Sequence, residues 1–120
     1  MQINNIQNDT SFGIKIAPHL LQTAQNHYNY NNVPNKRHLI WAFNQKAEQF
    51  EKFGFDNYTL DYEKKLVNGN WQHYLVATNN SNPAKKVTVS QRQTLVKIIN
   101  HFLEMSRGKF KSKMNSQINK

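Results

Sequence analysis

The sequence predicts an α+β fold: an antiparallel β-hairpin-centred sheet of two to four strands, packed on one face by about three helices. Three observations carry this. Asn68-Gly69 stands between two runs of alternating character, and both residues tolerate the positive φ of a two-residue type I′ turn. Leu39, Phe43, Ala47 and Phe50 recur at helical spacing, with Ile40 and Phe53 beside them. Leu95, Ile99, Phe102 and Leu103 form a second stripe, with Ile98 adjacent and Lys97, His101 and Glu104 expected toward solvent.

In chain order, residues 1–10 are polar and aperiodic and are expected to form a flexible arm. Phe12, Ile14 and Ile16 then share one side of an extended segment, with Lys15 opposite, which is the period of a half-buried strand. Pro18 suits a first helical turn, and Leu20, Leu21, Ala24 and Tyr28 make the stripe of a helix that should stop within residues 29–35. Pro34 disfavours helical geometry at Val33, while the Asn35 side chain can accept from the free amides of the second helix. Gly54 suits the left-handed position that ends it.

The turn at Asn68-Gly69 sets the hairpin register, because counting outward pairs Val67 with Asn70, Leu66 with Trp71, Lys64 with His73, Tyr62 with Leu75 and Leu60 with Ala77. Thr59, Asp61, Glu63 and Lys65 then share the other face with Gln72 and Thr78, and a slip of one residue would scramble the separation. Lys64 and His73 would resist burial as charged groups, so this end of the hairpin is expected to project beyond the core. Residues 79–86 read as a loop, Val87-Thr88-Val89 as a short third strand, and Ser90 with Gln93 as a capping box opening a last helix that ends at Gly108. The expected core is Leu39, Phe43, Phe50, Leu60, Tyr62, Trp71, Leu75, Leu95, Ile99 and Phe102. Residues 11–108 make one α+β domain and 109–120 a basic flexible tail.

The 120 residues include no cysteine, which excludes disulfides, thiolate zinc sites and cysteine nucleophiles. The opening residues lack a basic and an apolar region, and the longest apolar run is Leu39–Phe43. Neither a secretory signal peptide nor a membrane span is therefore expected, and the cytoplasm is the expected location. The 18 asparagines and 10 glutamines are scattered among periodic apolar positions, as AT-rich codons would produce. Charge is segregated. Residues 85–120 hold nine Lys or Arg against one Glu, and residues 1–84 hold seven against six acids. Such an excess suits a polyanionic partner.

The candidate nucleic-acid-binding residues are Lys85 and Lys86 before the last helix, Arg92 in its expected first turn, and Lys109, Lys111 and Lys113 after its end. Each phosphate contact would release counterions, and Phe110 between two lysines could stack on an unpaired base. RNA or DNA is the expected partner, and no cofactor is implied. The order of elements from residue 35 onward resembles that of a double-stranded-RNA-binding domain, whose lysine cluster opens its final helix. Here that position reads Ser90-Gln-Arg-Gln-Thr-Leu-Val-Lys97, and Lys85 and Lys86 come several residues too early.

Two alternatives arise from other residues. Asp61, Glu63 and Lys65 alternate along one strand, and Glu63-x-Lys65 resembles the acid-x-lysine pair of metal-dependent nucleases, in which carboxylates hold Mg²⁺ and a lysine steadies transition-state charge. That family takes another acid from a separate strand, and Asp56 lies too near Asp61 to supply it. The polar arm is similar to the Asn/Ile/Gln/Ser-rich N-termini used by some bacterial non-Sec export systems, which would imply an exported protein-interaction effector. The five histidines show no i, i+4 pair, and His101-x-x-Glu104 alone makes no metal set.

Overall fold

Asn68 and Gly69 adopt φ values of 52° and 82°, the geometry their dipeptide favours, and the hairpin register follows residue for residue from Val67↔Asn70 to Leu60↔Ala77. The computed structural model describes residues 13–118. Among them the elements are β1 (Lys15–Ile16), α1 (Pro18–Tyr30), α2 (Lys36–Phe50), β2 (Tyr58–Val67), β3 (Asn70–Asn79), β4 (Lys86–Arg92), α3 (Leu95–Glu104) and α4 (Arg107–Ile118). The strands form one open sheet in the order β1-β2-β3-β4. β1 pairs parallel with β2 and the other neighbours are antiparallel, so the fold is α+β as expected, with four helices among the described residues. The arm at residues 1–10 and the Phe12 position lie outside the described residues.

The core sits on one side of the sheet. Leu60, Tyr62, Leu75, Ala77, Val87 and Val89 meet Leu20, Ala24 and Tyr28 of α1, Phe43 and Phe50 of α2, and Ile98, Ile99 and Phe102 of α3. Phe102 stacks on Phe43 at 4.3 Å and on Phe50 at 4.7 Å between ring centroids. Leu39 and Leu95 are half-buried against this cluster. The opposite face carries Thr59, Asp61, Glu63 and Thr78, and Val76 is buried there outside the core cluster. Gly13 passes so close to the end of α2 that a Cβ would overlap the Glu51 carbonyl.

Several local expectations are corrected. Trp71 is not core: it is 52% exposed and its partner Leu66 60%, because the hairpin runs past the helical layer. Ser90 and Gln93 form no capping box, since β4 continues to Arg92 and the Thr94 side chain accepts from Lys97 N at 3.2 Å. Asn35 precedes α2 with a left-handed φ of 61° and makes no side-chain cap. Gly108 does not end the last helix. The chain breaks at Met105–Ser106 and starts again as α4 at Arg107, so residues 109–118 are helical where a basic flexible tail was expected.

The reason for α4 is aromatic burial. Phe110 and Met114, one turn apart, are fully buried, and Phe110 meets the rings of Phe50, Phe53 and Phe55 at 5.1, 5.9 and 5.8 Å. At its far end Gln117 accepts from Thr88 N at 2.9 Å and donates to Thr88 O at 2.7 Å. That amide covers outward-facing backbone of the edge strand β4, where exposed ladder groups would otherwise invite another chain.

Candidate functional site

β4 carries a bulge that decides where its polar residues point. Val76 pairs with Thr88 but Leu75 pairs with Ser90, which leaves Val89 as the extra residue. Strict alternation after Val87 and Val89 would turn Ser90 and Arg92 away from the helices. The bulge reverses this, setting Ser90 opposite the core residue Leu75 and Arg92 opposite His73 on the helical side.

Ser90 is buried and shares a hydrogen bond of 2.6 Å with His101 Nδ1 of α3. His101, expected in solvent, is therefore half-buried and fixed. Burial and the positive charges of Arg92, Lys113 and Lys109 hold it below the usual histidine range, and Glu104 opposes them. Arg92 arrives from β4, and Lys109 and Lys113 from α4. A cleft of about 500 Å³ opens beside the ring, lined by His101, Met105, Lys109, Ser112, Lys113 and Ser116. The four α4 positions follow i, i+3, i+4, i+7 spacing and so form one stripe, roughly a third of a turn away from the buried stripe of Phe110 and Met114. Cationic heads, hydroxyl donors and a neutral imidazole facing one hollow can accept an oxyanion.

Of the six sequence-expected residues, Lys109 and Lys113 line this cleft, and Arg92 stands on β4 two residues beyond Ser90, ending a strand where it was expected to begin a helix. The other three go elsewhere. Lys111 lies nearly opposite Lys109 around α4, and its Cε would lie 3.9 Å from a Cβ at Gly54. Lys86 opens β4 and pairs with Glu63 of β2 at 3.2 Å, bridging over the intervening β3. Lys85 sits in the adjoining loop, where its amide donates to the Asn82 carbonyl and its carbonyl accepts from Asn79. Phe110 has no exposed face on which a base could stack.

Among the described residues the ion pairs are His19–Asp61, Lys65–Glu63 and Lys86–Glu63, so Arg92, Lys109 and Lys113 are not paired with a carboxylate. The same pairs bear on the acid-x-lysine motif. Asp61 accepts from His19 Nδ1 at 2.9 Å and from Tyr62 N at 2.6 Å, and Glu63 is held by Lys86. The positions opposite these acids on β3 are Val76 and Tyr74, so that strand supplies no further carboxylate. No group of three or more His, Asp or Glu among the described residues is placed to hold a metal ion.

A second polar feature extends the expected Lys64–His73 pair by one residue, Arg92. Lys64, His73 and Arg92 form one row across β2, β3 and β4 on the helical side of the sheet. His73 Nδ1 and Tyr62 Oη share a hydrogen bond of 2.6 Å. Burial, then Lys64, lowers the His73 pKa, and burial raises that of Tyr62, so both directions favour a neutral phenol beside a neutral ring. Arg92 belongs both to this row and to the surroundings of His101. The helical spacing of Lys109, Ser112, Lys113 and Ser116 was a readable signal, whereas the bulge that recruits Ser90 and Arg92 had none. No family model, curated protein or solved structure matches the chain.

Proposed function

We propose that the protein is a small nucleic-acid-binding module that holds phosphate at the α3–α4 cleft through Arg92, Lys109 and Lys113. The observation that carries this reading is that Lys109 and Lys113 line one cleft with His101 and Ser112, with Arg92 on β4 two residues beyond the Ser90 that holds the ring. Like charges gather at a cost in the free protein, which a phosphate would relieve while releasing its own counterions. Ser112 adds a neutral donor suited to phosphate oxygens, whereas the Ser116 hydroxyl donates to the Lys113 carbonyl. Among the described residues no helix is long and apolar enough to cross a membrane.

The test is fluorescence anisotropy with a labelled oligonucleotide over a range of salt. Arg92→Gln/Lys109→Gln/Lys113→Gln is compared with Lys85→Gln/Lys86→Gln/Lys111→Gln, which removes the same charge from residues outside the cleft. The first triple variant is expected to lose affinity at least tenfold more than the second and to show a shallower salt slope. Equal losses would mean that net charge alone attracts the nucleic acid. The absence of binding at low salt would remove the reading.

A further inference from the structure

We propose that the distal half of the β2–β3 hairpin is a platform for single-stranded nucleic acid, with Trp71 stacking on an unpaired base and Lys64 and Arg92 holding the flanking phosphates. This deepens the phosphate-binding reading and rests on it. Trp71 lies one row beyond His73, on the side of the sheet that the helices cover further down, and it is 52% exposed. Successive rows on one face are about 7 Å apart, so the indole is a near neighbour of the Lys64–His73–Arg92 row. Lys64 Nζ already lies over the indole, 4.9 Å from its centroid. A cation with that reach can pass to a phosphate when a base takes its place on the ring.

The chemistry around the indole favours this occupant over an apolar protein surface. The hairpin's acids, Asp61 and Glu63, point to the opposite face, which leaves Lys64 and Arg92 on this side without a carboxylate partner among the described residues. Pairing with β4 ends at His73↔Arg92, so the edge of Asn70–Gln72 away from β2 has no strand beside it among the described residues. A hollow of about 460 Å³ opens there, lined by Asn70, Trp71, Gln72, Gln93 and Thr94. Asn70 and Gln72 alternate to the other face of β3, so Gln93 and Thr94 supply the donors and acceptors for base edges, which only an unpaired base exposes in full. A duplex keeps its base faces stacked against one another, and the platform would not engage it.

The experiment compares a labelled 15-nucleotide oligouridine with a 15-base-pair RNA duplex in about 50 mM salt, using wild type, Trp71→Leu and the Arg92/Lys109/Lys113 glutamine variant. The single strand should bind wild type at least tenfold more tightly than the duplex. Trp71→Leu should lose about tenfold on the single strand, the order of one base stack, and nothing on the duplex. In a Trp41→Phe background, the remaining Trp71 fluorescence should be quenched by the single strand alone. Equal affinity for the two ligands, or no effect of Trp71→Leu, overturns the platform. If the triple variant is still weakened in that case, the phosphate-binding reading survives it. Binding of neither ligand overturns both.

Discussion

At His101, burial and three cations act in one direction, with only Glu104 against them. Ser90 of β4 bonds the ring, Lys109 and Lys113 of α4 line the cleft beside it, and the Arg92 charge acts on it from β4. His73 is lowered in the same way by burial and Lys64. In the unfolded chain both return to the ordinary value near 6.5. Below that pH the unfolded state therefore binds more protons than the folded state, and stability falls as pH falls until the folded values are reached. Urea unfolding at pH 7.5 and 5.5 should show this loss in wild type and a smaller one in His73→Gln/His101→Gln. Equal losses would mean that neither ring resists protonation in the fold. His73 was legible from the register, which set it opposite Lys64, but His101 was not. His101 sits on the helix surface at a position that reads as solvent, and only the reversal of Ser90 by the bulge gives it a partner.

At the scale of elements, the hairpin was readable and α4 was not, for opposite physical reasons. Asn68-Gly69 carries its conformation locally, and alternation on both sides then leaves one register that separates the faces. α4 has two buried residues, Phe110 and Met114, among lysines, serines and amides, so its stripe is too thin to stand out from a polar tail. Its helicity comes from the aromatic cluster it completes with Phe50, Phe53 and Phe55. Trp71 shows the converse error, since its alternation is correct but the helical layer does not reach it. Phe110→Ala should therefore cost about 3–5 kcal/mol, whereas Trp71→Ala should stay within about 0.5 kcal/mol, as for a surface position. Denaturant titration with a common slope checks both. A small loss at Phe110 would contradict the packing of α4.

Over the whole molecule, the segregation of charge along the chain translates only in part into segregation in space. Residues 85–120 hold the basic excess, yet Lys86 and Arg92 stand at opposite ends of β4, about 20 Å apart at strand rise. Chain proximity says where positive charge is abundant, and the bulge and the two helical stripes say which heads meet. The sheet also separates functions by face: acids with Lys86 and Lys65 on the open side, Arg92 and the cleft on the helical side. The central claim is that Arg92, Lys109 and Lys113 act as one phosphate-binding unit, and His101 lies among them as its reporter. NMR titration of the His101 imidazole, with and without a saturating single-stranded oligonucleotide, tests it most directly. The free protein should titrate below 6.5, and the bound ligand should raise the value by neutralising the cations around the ring. A His101 titration unchanged by saturating oligonucleotide would contradict the claim.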